Sequence, residues 1–337
     1  MKAMQIEQPG LATVTTVPDP SPGPGEVIVR VAACGVCGTD VHIFKGEYEG
    51  AYPVIPGHES SGTIVEVGPG VKGRWSVGQR VTFDPNISCG ECVYCRRGLY
   101  NHCERWTALG VTRPGCFAEY VAVPESVLFD LGDLSFAAGA FVEPLSCVAH
   151  GLKNRAPVRP GDAVLIFGAG PIGLLLMQAV RADGAASVVV TDARADRLAL
   201  AAKLGAITVL SGAHQAERLR DLAPIGYDMV IDATGVPQVV EAALAYVRPA
   251  GTFLVFGVCP VEARITVSPY EIFRRDLTIV GSIAVNRSFP PALAWLASGA
   301  VQVEPLLTHT LPLDAMPDVL AGKLALPGQL KVQMHLT

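Results

Sequence analysis

The stretch AVLIFGAGPIGLLLMQAV, residues 163–180, contains no charged side chain. Its length is that of a membrane-spanning helix, but three glycines and a proline interrupt it, and its character changes midway. AVLIF reads as a short buried strand, GAGPIG as a turn, and IGLLLMQAV as an apolar helix. The segment is therefore expected to be the first strand, turn and helix of a buried core. In that context Gly168-x-Gly170-x-x-Gly173 has a physical purpose. Gly168 permits a tight turn, Gly170 lets backbone approach a pyrophosphate, and Gly173 lets helix pack closely on strand. Pro171 and Ile172 open a helix whose N-terminus offers positive potential to phosphate.

Working outward, the next apolar run, SVVVTD, ends in Asp192, nineteen residues beyond Gly173. An acid there accepts hydrogen bonds from adenosine ribose hydroxyls and repels a 2′-phosphate, which favours NAD over NADP. Arg194 and Arg197 follow it. An arginine there pairs with a 2′-phosphate, stacks on adenine, or lies on a solvated helix face. Further strands are expected over 187–191, 228–232 and 252–256, with helices over 194–205 and 237–247, an alternation that predicts a parallel sheet covered on both faces. Thr234, Gly257 and Val258 stand just after strands of that sheet and are candidates to line the cofactor.

The composition narrows the class. A chain of 337 residues suggests two domains, and a net charge of −5 without basic clusters gives no support for nucleic-acid binding. The N-terminal MKAMQIEQPG lacks the apolar core of an export signal, so a reducing cytoplasm is expected, with no membrane association. The nine cysteines are an odd number, which argues against a fully paired disulfide framework.

Four of those cysteines crowd into SCGECVYCRRGLYNHC (88–103): Cys89, Cys92, Cys95 and Cys103. Four thiolates on one loop suit a closed tetrahedral zinc site that holds loop structure. An iron–sulfur cluster also takes four cysteines, though its common spacings differ. His102 adjoins the last of them as a competing ligand. Upstream, Cys37-Gly38-Thr39-Asp40-Val41-His42 precedes Pro56-Gly57-His58-Glu59. Cys37, His58 and Glu59 are of the ligand types zinc takes at catalytic sites. The surrounding segments, 26–33, 61–68 and 117–123, read as strands of a compact antiparallel domain. The last fifty or so residues return to that texture, as if the α/β unit were inserted within the first domain.

GVCGTDVH, PGHE, the four-cysteine loop, GAGPIG and the acid after the second strand occur in one order. In that order the chain resembles the zinc-dependent medium-chain dehydrogenases over essentially its full length. Phe141-Val142-Glu143-Pro144-Leu145-Ser146 further resembles polyol dehydrogenases of the sorbitol and arabitol type. The resemblance implies a GroES-like catalytic domain (1–145 and 286–337) interrupted by a Rossmann domain (146–285), with the active site in the cleft between them. It implies two zinc ions per chain, one structural and one catalytic. The catalytic ion would lie on Cys37, His58 and Glu59, with Glu143 ligating it or holding its water. Thr39 would touch the reacting oxygen, His42 would relay the proton, and Asp40 would support them. Cys34, Cys116, Cys147 and Cys259 are left as buried thiols.

The implied reaction is oxidation of a secondary alcohol, a sugar alcohol first, to the ketone with hydride transfer to NAD, in a homodimer or homotetramer. Two departures keep the substrate open. Sorbitol dehydrogenases carry an arginine and a tyrosine where this chain has the apolar-looking segment Gly281-Ser282-Ile283-Ala284-Val285-Asn286, and Ile43-Phe44 follow His42 where an aromatic polar group is expected. Gly110–Tyr120, in turn, resembles the matching segment of threonine dehydrogenases. A threonine-type or butanediol-type substrate is the alternative within the class. Outside it stands a nucleotide-binding protein without chemistry. A zinc-free quinone reductase needs neither metal constellation.

Overall fold

The computed structural model describes every residue except Glu49 and Thr337. Two compact units are formed: Met1–Ser146 with Val285–Ala297 and Leu306–Thr337, and Cys147–Ala284 with Ser298–Pro305. The short segment 298–305 thus groups with the second unit.

In the second unit, six parallel strands stand in the order Ile207–Leu210, Ser187–Asp192, Ala163–Phe167, Tyr227–Asp232, Val247–Val255 and Thr278–Gly281. The chain fills the sheet outward from Ala163–Phe167 in one direction and then the other, so the order reverses beside that strand. Ligands on such sheets lie at the carboxyl ends of the strands at this point. The helix Pro171–Ala182 follows directly, and its Leu174, Leu175, Leu176 and Met177 are fully buried. Each contributes on the order of 2 kcal/mol by leaving water. Among the described residues no helix is long and apolar enough to cross a membrane.

Two differences from the expected elements have plain causes. The helix expected over 237–247 stops at Ala243 and tightens into a 3₁₀ turn, Leu244–Tyr246, because Val247 already pairs with Tyr227 in the sheet. The strands Ile207–Leu210 and Thr278–Gly281 were not expected; they are flanking strands of four residues, each containing a threonine, too short a run to stand out although Ile207, Leu210 and Ile279 are apolar and exposed.

The first unit is built on a seven-stranded sheet. Glu26–Gly35 pairs antiparallel with Glu59–Val67, with Tyr120–Pro124 and, at its C-terminal end, with Lys331–His335. The register Met334↔Cys34 and Gln333↔Gly35 shows that the end of the chain returns to this unit. Met4, Ile6, Val29, Ile64, Phe83, Phe117 and Met334 share its core. The turn after Glu26–Gly35 and the start of Glu59–Val67 meet at one edge of that core, since Gly35 lies opposite Glu59. The candidate metal residues sit there.

Candidate functional site

Cys37 is the N-cap of the helix Gly38–Lys45. Its Sγ accepts from the Thr39 amide at 3.5 Å, and the Asp40 carboxylate accepts from the Cys37 amide at 2.9 Å, a reciprocal box that fixes the cap. Asp40 is fully buried, and its other oxygen accepts from the Gly57 amide at 3.0 Å. One carboxylate therefore ties the cap to the Pro56–His58 turn. The same oxygen lies 3.4 Å from His58 Nδ1, a charge contact without an aligned hydrogen bond. With Nδ1 turned to Asp40, the other ring nitrogen is left for a cation.

One ligand atom each from Cys37, His58 and Glu59 lies within 4.8 Å of the others. Burial alone would lower the His58 pKa, yet the charges of Asp40 and Cys37 hold it well above the ordinary histidine value. A buried group of anionic ligands that pulls protons onto a histidine is short of positive charge, and a divalent cation fits that deficit. Glu143, also buried, is not within this 4.8 Å group. Burial raises its pKa to about 7; His58 pulls it down, while Glu59 and Asp84 push it up, so its carboxyl feels the site's charge.

Lys331 was not singled out in the sequence. It is buried, its ammonium pairs with Glu59, and it donates to the Val36 carbonyl at 2.9 Å. The sequence signal was faint: a lysine opening an otherwise apolar and polar strand, KVQMH, whose partner is remote in the chain. Gly35 admits the pair, because a Cβ there would stand 2.1 Å from Glu59 Oε2 and 3.0 Å from Lys331 Cε.

Thr39 is half-buried in the first turn of the cap helix, and His42, three residues on, is exposed with Nδ1 2.8 Å from Glu47. Residues so spaced share a helix face.

The four sulfurs of Cys89, Cys92, Cys95 and Cys103 also lie within 4.8 Å of one another, and His102 is not part of the group. All nine cysteines are free of disulfides. Cys89 Sγ and Cys95 Sγ are 3.9 Å apart. Zn–S bonds of about 2.3 Å at tetrahedral angles require an edge of about 3.8 Å, whereas a multi-iron cluster spreads its thiolates wider. Amides of Cys89, Cys92 and Cys95 each point at a neighbouring sulfur, at 3.2, 3.4 and 3.5 Å, as they do toward thiolates. Backbone amides draw the Cys89 pKa down to about 6, while burial and Cys92 push Cys95 up to about 12. Four thiolates so close cannot all ionise without a cation, and a divalent ion fits. Asn286 clamps this loop, accepting from the Tyr100 amide at 3.1 Å and donating to the Gly98 carbonyl at 2.9 Å. Arg287 stacks on the Tyr100 ring at 3.6 Å.

Of the remaining thiols, Cys34 and Cys116 are buried, but Cys147 and Cys259 are only half-buried. The buried-thiol reading fails for these two. Cys259 stands in the irregular segment after Val247–Val255, and Cys147 in the helix Val142–Ala149, where the second unit begins.

In the second unit, Gly168 has φ +104° and a Cβ at Gly173 would stand 1.9 Å from the Gly168 carbonyl oxygen. Around Gly170 the space is open, the nearest atom to its notional Cβ being Arg197 Nη1 at 3.9 Å. Such a cradle suits a pyrophosphate. Asp192 accepts from the Ala169 amide at 2.7 Å and from the Arg194 amide at 2.8 Å, so it braces the turn. The Arg194 guanidinium is tied to Asp196, and Arg197 is the arginine at the glycine turn, with its buried Nε unpaired. Thr234 Cγ2 would lie 3.1 Å from a Cβ at Gly168, and a Cβ at Gly257 would strike the Gly235 amide at 2.2 Å. Gly168, Thr234 and Gly257 thus gather at the strand ends, with Val258 exposed beside them.

Comparison with known proteins agrees with both halves. The Alcohol dehydrogenase GroES-like domain family matches residues 23–133, and the Zinc-binding dehydrogenase family matches 171–298. D-altritol 5-dehydrogenase of Agrobacterium fabrum is 41% identical, over 99% of both chains. D-arabinitol dehydrogenase 1 of Uromyces fabae is 38% identical, over 95% of this chain and 93% of its own. A chain from Sinorhizobium meliloti 1021, described as a zinc-binding dehydrogenase and solved bound to NADP, superposes with a TM-score of 0.94 at 35% identity, over 99% of both chains. A GroES-like unit interrupted by a parallel nucleotide-binding sheet, with this ligand set and these relatives, identifies the protein as a member of the zinc-dependent medium-chain dehydrogenases.

Proposed function

We propose that this dehydrogenase oxidises a secondary hydroxyl of a sugar alcohol to the ketone, using NAD, with one catalytic and one structural zinc per chain. The observation that carries the reading is the meeting of Cys37, His58 and Glu59 at one buried point of the GroES-like unit. The relatives acting on altritol and arabinitol supply the substrate class. When bound, zinc supplies a Lewis acid that makes an alcohol hydroxyl easier to deprotonate, and the nicotinamide nucleotide supplies the hydride acceptor.

The chain's own residues do the rest. Cys37, His58 and Glu59 hold the metal, with Glu143 beside them as a further ligand or as the group that holds its water. Asp40 sets the His58 ring and the Cys37 cap at once. Thr39 Oγ1 accepts the hydroxyl proton as it releases its own, and exposed His42 on the same helix face hands that proton to solvent. Replacing His42 by alanine is expected to lower turnover near neutral pH by about tenfold, less than the roughly 10²–10⁴-fold of a buried general acid–base group, because solvent can partly replace an exposed imidazole. Unchanged turnover and an unchanged pH profile would remove His42 from the relay.

The Gly168–Gly173 turn, with Pro171 and Ile172 at the helix start, cradles the pyrophosphate, and Asp192 faces the ribose. Arg197 stands where phosphate passes, and Thr234, Gly257 and Val258 line the strand ends. The preference for NAD rests on Asp192; its backbone bonds spend two acceptor sites, yet its negative charge still opposes a 2′-phosphate. Zinc-loaded enzyme should reduce NAD fastest with one member of a panel of pentitols, hexitols, L-threonine and 2,3-butanediol, and more slowly with NADP. A polyol is expected to lead; threonine or butanediol leading would replace the substrate class and keep the chemistry.

A homo-oligomer, dimer or tetramer, is part of the proposal. The outer strand Thr278–Gly281 carries half-exposed Ile279, and Phe273, Tyr270 and Val261 nearby in sequence are exposed. An open strand edge with apolar neighbours favours pairing with a second copy. A solution mass equal to the 35.4 kDa of one chain would remove it. Thiol ligands in both metal groups suit a reducing compartment, so the cytoplasm is the proposed location.

A further inference from the structure

We propose that Lys331 is a positioning residue that shares the Glu59 carboxylate with the catalytic metal and thereby weakens the metal's hold. The inference rests on the reading of Cys37, His58 and Glu59 as metal ligands. Lys331 and Glu59 are 6% and 2% exposed, so neither charge can turn to water. The ammonium has two anchors, Glu59 and the Val36 carbonyl. It is held in place by pairing of its strand with Leu307–Leu311 and Glu26–Gly35. Against Glu59 Oε2 it makes an ion contact with no aligned hydrogen bond, so that oxygen is neutralised but not saturated. The absence of a side chain at Gly35 is what lets the pair pass.

Two consequences follow from electrostatics. A fixed positive charge beside a ligand opposes a second cation on that ligand, most strongly where water is excluded. The same charge stabilises the metal-free site, because without it Glu59 is a buried, unpaired anion. Both effects favour the metal-free state. Removing the charge should therefore tighten metal binding, which is the opposite of what a purely structural lysine predicts.

The test uses the zinc-loaded holoenzyme challenged with a chelator, reading zinc loss against time. The phase belonging to the catalytic metal is the one missing from Cys37→Ser; if Cys37→Ser retains the full zinc content, the ligand reading fails before the lysine is judged. In Lys331→Met that phase should slow about tenfold, equivalent to roughly 1.4 kcal/mol. The visible bands of the cobalt-substituted enzyme should shift as well. Lys331→Arg should restore both. In a Glu59→Gln background the further change Lys331→Met should have little effect, since the lysine acts through that carboxylate. Thermal midpoints should fall more for metal-free than for zinc-loaded Lys331→Met. Faster or unchanged zinc loss with an unchanged cobalt spectrum would overturn the proposal. So would an equal slowing in the Glu59→Gln background.

Discussion

Replacing Cys37 by alanine is expected to lower kcat/KM for the alcohol by about a thousandfold, or roughly 4 kcal/mol of transition-state stabilisation. Cys37 holds two positions in the architecture. Its sulfur is one of three ligand atoms within 4.8 Å, and its thiol and amide also cap the helix that carries Thr39 and His42. Loss of an N-cap costs about 1 kcal/mol of stability, too little to unfold a chain of this size. The variant should therefore fold, keep the zinc of the four-cysteine loop, and contain one zinc fewer per chain. Cys37→Ser separates the two duties, since serine caps as well as cysteine but is a poor zinc ligand. If Cys37→Ser kept activity within a few-fold and a full zinc content, the metal would have to sit elsewhere.

Replacing Cys95 by alanine should act through stability. Cys95 is the most buried of the four loop cysteines and approaches Cys89 at 3.9 Å. Without it the three remaining thiolates cannot close a tetrahedron, and their repulsion falls on a loop of short 3₁₀ turns with little core of its own. Loss of a structural metal belongs with the larger effects, about 3 kcal/mol or more. For a unit of this size that lowers the thermal midpoint by about 6–12 °C. The damage should spread to the clamp made by Asn286 and the stacking of Arg287 on Tyr100, because those contacts presuppose the loop's shape. A Cys95→Ala protein with an unchanged midpoint and two zinc ions would rule out the structural role.

The two expectations differ in kind because the two metal groups differ in what the chain can do without them. The Cys37 group sits on strands and a helix already fixed by the core around Ile64, Phe83 and Phe117. The cysteine loop has only Cys92, Cys95 and Cys103 as its buried cluster, with Cys89, Tyr100 and Trp106 packed against them. On the proposed reading, the metal in the first case would be a reagent on a standing scaffold. In the second it would serve as the core.

Local signals in the sequence were enough for the parallel sheet, the glycine turn and the two clusters of candidate ligands that the fold gathers. Each depends on neighbours within a few positions: Gly168, Gly170 and Gly173 shape one turn, and Cys89 to Cys103 span one loop. The same locality placed Asp192 at the end of the next strand as a ribose acceptor, whereas its brace on the glycine turn through the Ala169 amide is seen only in the folded chain. It also allowed both arginines after Asp192 to be considered together. Only the folded chain separates them, binding the Arg194 side chain to Asp196 and leaving Arg197 at the glycine turn.

What tertiary structure alone decided are the pairings between residues far apart in the chain. Lys331 meets Glu59 because its strand joins Glu26–Gly35, whose Gly35 lies opposite Glu59; nothing near either residue announces the other. Asn286 was read as the end of an apolar segment, yet its amide clamps the cysteine loop, so its partners decide its purpose. Periodicity and spacing report what a residue does to its own turn, strand or helix. The charge balance of a buried site depends on which strands become neighbours, and that is settled only when the sheet closes and water is excluded.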